Sequence, residues 1–412
     1  MAWHNIVTSI DIGSSKIRTI IWYFDEQSNR DNYSIIWVWI ASSNAIRKWN
    51  ILDMEEFKNN LDKSLEEAEK MAWEQIVWAY ISFNSSTLEV IKNKWVVAVI
   101  WWEINEEDIE RAIDMSRSGV DLPNKEILKV IPEEFIVDIE EWVKNPVWMS
   151  ARKLEVISNI FSMNANVLSN IRKAVTDIWI EIYDIYPNLL SNSEWILTKR
   201  QKELWVVCID IGASVTGISV FEEWNLIFSS IIPIWWDSVT NDIALWLRTS
   251  TQVAEKLKID HAELWLEFRE DYVDEEMNLS QLNIWEEGSL SLLYLSKIAT
   301  ARYEEIFYFI REELKKVWKD GMLPEWAVCV WWWAKVRWFV SLWKKVLKLP
   351  TFIWLPINNN DYCDASINDP VFASVLWTMI LSNKYSQTPK FFSFNLWWFF
   401  KSIARVFKKI LP

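Results

Sequence analysis

Two short segments carry the residues most suited to chemistry. Ile6 to Lys16 ends an apolar, β-rich run in Asp11-Ile12-Gly13-Ser14-Ser15-Lys16, and Trp205 to Ser214 ends a similar run in Asp210-Ile211-Gly212-Ala213-Ser214. Each is followed by a second β-rich run, Ile17 to Trp22 and Ile218 to Phe221, so each reads as a strand–turn–strand hairpin. A glycine-containing turn of this kind points backbone N–H groups at an anion. An aspartate just before the turn can hold Mg²⁺ through water, because Mg²⁺ keeps several waters and takes one or two carboxylates plus phosphate oxygens. A single Asp-Ile-Gly is weak evidence, since a strand ending in a turn gives the same string. Two copies in matching positions predict a clamp that grips a nucleotide triphosphate from both sides. Asp11 and Asp210 would organise Mg²⁺ and water as the catalytic and metal residues, and Gly13, Ser14, Ser15, Gly212, Ala213 and Ser214 would cradle phosphate. Lys16 is placed to reach a phosphate or to remain a solvated lysine. A third element, Val328 to Ala334, is a β run entering Trp331-Trp332-Trp333, with Lys335 and Arg337 close behind.

The duplicated hairpin predicts two related α/β lobes. In the first, Asp53 can cap a helix, Glu56 can complete the capping box, and Phe57, Leu61, Leu65 and Ala68 recur at helical spacing before a strand over Ile76 to Phe83. In the second, Asp242 to Leu257 and Lys297 to Val317 read as helices, the latter with one apolar face of Ile306, Phe309, Ile310, Leu314 and Val317. Glu107, Asp108, Glu110 and Arg111 fit an exposed helix face.

Composition excludes several classes. The net charge of −14 argues against nucleic acid as the main partner. The three cysteines, Cys208, Cys329 and Cys363, are far apart, and the two histidines are His4 and His261; this disfavours disulfide scaffolds, zinc sites and a histidine-based triad. The first residues do not read as a signal peptide, and no apolar run is long enough to span a bilayer.

The chain holds 32 tryptophans and 6 glycines in 412 residues, whereas glycine ordinarily makes up about 7% of a protein. Tryptophan stands where a backbone wants positive φ or close approach: Trp224 beside Asn225 in a strand turn, Trp235-Trp236 before Asp237, and the Trp331 to Trp333 run. Some bacterial lineages read the codon UGA as glycine and another genetic code reads it as tryptophan. The expectation is that many of these tryptophans are glycine in the organism; the alternative is a tryptophan-rich protein.

The order of these elements (two phosphate hairpins, then a Gly-Gly-like adenosine loop at Trp331-Trp332) resembles the actin/Hsp70/sugar-kinase ATPase superfamily, and within it the FtsA family of bacterial cell division. Val130 to Asp138 resembles "VIPQEYIVD"; Asn145-Pro146-Val147-Trp148-Met149-Ser150 resembles "DPVGMSG"; Ile232 to Ala244 resembles "IPLGGD…ITNDIA"; Ala254 to Lys258 resembles "AExLK"; Asn368-Asp369-Pro370 with Phe372-Ala373 resembles "DPxYA". The match is collinear from about Asn5 to Leu381. It departs at the second phosphate loop, usually "DIGGGTTDIAV": Val215 stands at the first Thr, with Thr216 one place on, and Gly217 at the Asp. That departure bears on hydrolysis more than on binding.

The resemblance implies an actin-like α/β fold with ribonuclease-H-like lobes. The expected divisions are 1–84 and 162–204 for the first lobe, 85–161 for an inserted FtsA-type subdomain, and 205–245 with 325–382 for the second lobe. Residues 246–324 would form an outer subdomain, 383–397 a linker and 398–412 a helix. The resemblance also implies ATP and Mg²⁺, with Trp235, Trp236, Asp237, Glu255, Lys258, Trp331 and Trp332 on the nucleoside side, the tryptophans acting as glycines, and slow ATPase activity at most. Implied partners are FtsZ, further copies of the chain in a filament through the insert, other division proteins and inner-membrane lipid, at the cytoplasmic face of the division site. The tail supports the lipid contact on its own residues: Phe399, Phe400, Ile403, Val406, Phe407, Ile410 and Leu411 recur at helical spacing, with Lys401, Arg405, Lys408 and Lys409 largely opposite. A terminal helix docked on the protein's own core is the simpler alternative. Rival functions are a PilM-like binding module of pilus assembly, a sugar kinase and a scaffold that binds no nucleotide.

Overall fold

The computed structural model describes residues 6–24, 33–43, 45–47, 50–73, 75–234, 236–266, 274–281, 288–317, 327–330, 336–353, 372, 374–376 and 378. Trp235, Trp331, Trp332 and the whole tail from Phe399 to Leu411 lie outside them.

The first sheet begins with β1 (Ile6–Ile12), β2 (Lys16–Phe24) and β3 (Tyr33–Ser42), an antiparallel meander. Helix α1 (Met54–Ala72) crosses over it, and Asp53 accepts from the N–H groups of Glu55 and Glu56 at its start. Phe57, Leu61, Leu65 and Ala68 are fully buried, as their spacing predicts. Strand β4 (Trp78–Phe83) then pairs parallel to β1.

Residues 89–164 build a separate four-stranded sheet. Its strands are β5 (Glu89–Ala98), β6 (Lys125–Val137), β7 (Glu140–Val143) and β8 (Lys153–Asn164), in the order β5-β8-β6-β7. Helix α2 (Glu106–Ser118) covers it, enclosing a small core around Ile104, Ala112, Leu154 and Val156. Asp108 departs from the expected exposed face. It is 2% exposed because it sits at the third helical position, folds back on the Asn105 N–H and pairs with Arg111.

The chain returns to the first sheet through α3 (Ala165–Asp177) and β9 (Glu181–Pro187), which pairs parallel to β4. Helices α4 (Asn188–Ile196) and α5 (Lys199–Glu203) lead to the second lobe. There β10 (Val206–Ile211), β11 (Thr216–Glu222) and β12 (Asn225–Ile232) form another antiparallel meander. Strands β13 (Ala327–Val330) and β14 (Thr351–Ile353) add in parallel to β10. The two sheets, β3-β2-β1-β4-β9 and β12-β11-β10-β13-β14, have the same order and the same strand directions. This is the duplication foreseen from the paired Asp-Ile-Gly segments.

Helices α6 (Asp237–Leu247), α7 (Thr251–Lys256), α8 (Leu292–Lys315) and α9 (Phe339–Leu347) complete the second lobe. The helix expected over Asp242 to Leu257 is two. Arg248 takes a left-handed φ of 53° and the Ser250 hydroxyl caps the next helix, so the axis turns between them. Trp205 also departs from the expected strand: it has φ 67° and precedes β10. Cys208 faces the core shared with the first lobe and Cys329 the second lobe's own core, on opposite sides of one sheet.

The left-handed positions are unusual in their occupants. Among the described residues the non-glycine positions with positive φ are Trp73, Trp102, Trp142, Trp148, Trp179, Trp205, Trp224, Trp265 and Trp338, with Asn124, Asp138, Glu223, Arg248 and Lys348. Trp73 closes α1 with its side chain 91% exposed, so neither backbone preference nor burial favours an indole there.

Candidate functional site

Each hairpin turn is closed by its own glycine. The Gly13 N–H donates to the Lys16 carbonyl at 3.1 Å, and the Gly212 N–H donates to the Val215 carbonyl at 2.8 Å. Close approach makes glycine necessary at both: an added Cβ would lie 2.7 Å from Lys16 O in the first turn and 2.9 Å from Val215 O in the second. The two turns meet. Ser214 Oγ donates to Ser14 Oγ at 2.6 Å, bridging the lobes with both side chains buried. Ala213 is half-buried, and Ser15 and Lys16 are exposed.

Beneath the turns both aspartates are buried and held. Asp11 Oδ2 accepts from Arg18 at 2.8 Å, while its Oδ1 accepts from Asn188 at 2.7 Å and from Ser82 at 3.4 Å. Asp210 Oδ2 accepts from Asn192 at 2.7 Å. Arg18, Asn188 and Asn192 were missed in the sequence. Arg18 lies directly across the ladder from Asp11, so the hairpin register could have found it. The two asparagines are four residues apart on α4 and so share a face.

The residues expected on the nucleoside side form a third cluster. Lys258 Nζ donates to Glu255 and to Thr240 Oγ1, and Thr240 Oγ1 donates to Glu255. Burial pulls the Lys258 ammonium down to about 8, with Glu255 opposing the fall. Asp237 opens α6 and is exposed. Trp236 differs from its expected backbone: φ is −61°, an ordinary helical value. Its cost is volume, since the indole is 1% exposed and fills the space between Lys258 Nζ, 4.7 Å from its ring, and the Tyr303 ring at 4.9 Å. The lowered Lys258 fixes the sign of a pH effect. Between about pH 8 and 10.5 the unfolded chain holds a proton that the folded chain has released, so stability rises with pH across that window. Urea unfolding at pH 8, 9 and 10 should show the rise, and Lys258→Met should flatten it.

A family model described as "SHS2 domain inserted in FTSA" matches residues 85–162, and one described as "Cell division protein FtsA" matches residues 207–376. The cell division protein FtsA of Bacillus subtilis strain 168 is 30% identical over 319 residues, 76% of this chain and 70% of that one. The chain belongs to the FtsA family of cell division proteins. The FtsA of Pseudomonas aeruginosa strain PAO1 is 26% identical over 369 residues, 90% of this chain and 87% of that one. Among solved structures, the PilM-PilN type IV pilus biogenesis complex aligns with TM-score 0.61 at 12% identity, covering 91% of this chain and 97% of that one. MreB5 of Spiroplasma citri bound to ADP aligns with TM-score 0.53 at 11% identity, covering 92% and 97%. Both likenesses speak for the fold, which is the actin-like one. FtsA membership gives the chain an actin-like role in cell division and sets the PilM-like module aside as a neighbour in fold alone.

Proposed function

We propose that this FtsA-family chain binds ATP with Mg²⁺ between its lobes, assembles into filaments, and ties FtsZ to the inner membrane through its basic tail. The observation that carries the nucleotide reading is the meeting of the two turns: Ser14 and Ser214 touch at 2.6 Å, each turn directly following a buried aspartate. The donor set suits Mg²⁺ held through water. Asp11 already has N–H donors on both oxygens, and the amide oxygens of Asn188 and Asn192 are buried without a hydrogen-bond partner among the described residues. Asp11 and Asp210 would hold the hydrated ion and the Gly13 and Gly212 turns the phosphates. The ion would offset phosphate charge. Glu255 and Lys258 would meet the nucleoside. Turnover is expected to be slow, because Gly217 supplies no carboxylate and the Thr216 hydroxyl is engaged by the Ile234 carbonyl at 2.8 Å.

Isothermal titration with ATP tests this. Trp236→Gly should tighten binding by about tenfold or more, because an overpacked indole leaves the site; equal, undetectable binding in both chains would refute the nucleotide reading. For the membrane end, vesicles containing anionic lipid should pellet the full chain and leave behind one lacking residues 398–412. A single amphipathic helix binds modestly, so retention should grow with assembly. Equal pelleting of both chains would refute the tail's role.

A further inference from the structure

We propose that Asn188 and Asn192 are positioning residues that fix both aspartates to one face of α4, so that this helix sets their separation for a Mg²⁺–triphosphate. The proposal rests on the nucleotide reading above. Helix α4 packs on β4 and β9 of the first lobe and on β10 and β11 of the second, so it straddles the cleft. Its two asparagines are 6% and 0% exposed, and each gives its amide N–H to a different aspartate at 2.7 Å. Four helical residues advance about 6 Å. The carboxylates are therefore spaced by the pitch of a rigid element as well as by the angle between lobes. Opening the lobes strains one of the two bonds. Each asparagine also carries a buried amide oxygen that accepts from no described group, an acceptor for a water of the hydrated ion.

The test uses the full chain with Trp236→Gly as parent and follows ATP binding while Mg²⁺ is titrated, with EDTA as reference. Asn188→Leu and Asn192→Leu keep the volume and remove the amide. Each should raise the Mg²⁺ midpoint by about tenfold or more, the usual cost of losing a group that orients a metal's ligand, while affinity in EDTA changes by less than about threefold. If the parent binds ATP with Mg²⁺ and both variants keep its midpoint, the positioning role is wrong. If the parent binds ATP in neither condition, the nucleotide reading falls and takes this proposal with it. Should a leucine variant lose its cooperative thermal transition, the alanine variant at the same position, which also removes the donor, is held to the same criterion.

A separate observation carries a second inference. We infer that the nine left-handed tryptophans are glycine in the protein the organism makes, UGA being read there as glycine. Three sites show the backbone logic. After α3, Trp179 N–H donates to Thr176 O and Ile180 N–H to Val175 O, the paired bonds of a Schellman ending with Trp179 at its left-handed position. Between β11 and β12, Glu223 and Trp224 have φ 46° and 74° and join the pair Glu222–Asn225, a two-residue turn whose second place is ordinarily glycine. Trp148, at φ 71° and 78% exposed, stands where the FtsA-like "DPVGMSG" string has glycine. Peptide mass spectrometry of the protein isolated from its organism decides it. Peptides spanning Trp73, Trp148, Trp179 and Trp224 should each be lighter by the difference between tryptophan and glycine. Tryptophan masses at these sites would overturn the inference.

Discussion

Replacing Trp73, Trp102, Trp142, Trp148, Trp179, Trp205, Trp224, Trp265 and Trp338 together by glycine should raise the thermal midpoint by about 10 °C. A side chain bearing Cβ loses about 1–2 kcal/mol in the left-handed region, and glycine returns about 0.5–1 kcal/mol of that as lost backbone freedom. The remainder, near half a kcal/mol to one per site, sums to about 5–9 kcal/mol over nine separated positions. In a chain of this size each kcal/mol moves the midpoint by roughly 1–2 °C. A set of nine alanines is the control. Alanine removes the indoles, six of them exposed and those of Trp179, Trp205 and Trp265 partly buried, but keeps Cβ, so it should recover little. Equal gains from alanine and glycine in circular dichroism melts would show that indole exposure, and not backbone conformation, was the burden.

Arg18→Leu is expected to destabilise the chain by about 3–5 kcal/mol, because it leaves the Asp11 carboxylate buried with its charge uncompensated. The pair is almost wholly enclosed, with side-chain exposures of 2% and 1%. Adding Asp11→Asn to Arg18→Leu should restore most of the loss, since the new amide oxygen still accepts from Asn188 and no charge remains. Urea denaturation of the two single variants and the double variant forms the cycle. A double variant as unstable as Arg18→Leu alone would show that the guanidinium matters through packing and not through charge.

The duplicated hairpins made the architecture legible, because an apolar run, an aspartate and a glycine turn constrain a strand pair locally. The aspartates and turn residues were legible for the same reason. Arg18 was harder: it sits in a mostly apolar strand, and its meaning appears only when the ladder sets it opposite Asp11. Asn188 and Asn192 reach partners 177 and 18 residues away, a distance no local pattern reports. The break at Arg248 was hidden because arginine is a good helix former, and its left-handed φ is imposed by the fold. Trp236 shows the opposite error. It looked like a backbone misfit and is a helical residue whose harm lies in its bulk.

The hydroxyl contact between Ser14 and Ser214 has a kinetic corollary. If a triphosphate enters between the turns as proposed, it cannot slide between two side chains already in touch, and admission would wait for a hinge excursion that parts them. The bimolecular rate would then level off at high nucleotide, at the frequency of that excursion. Trimming both serines to alanine should lift the plateau while leaving the aspartates where they are.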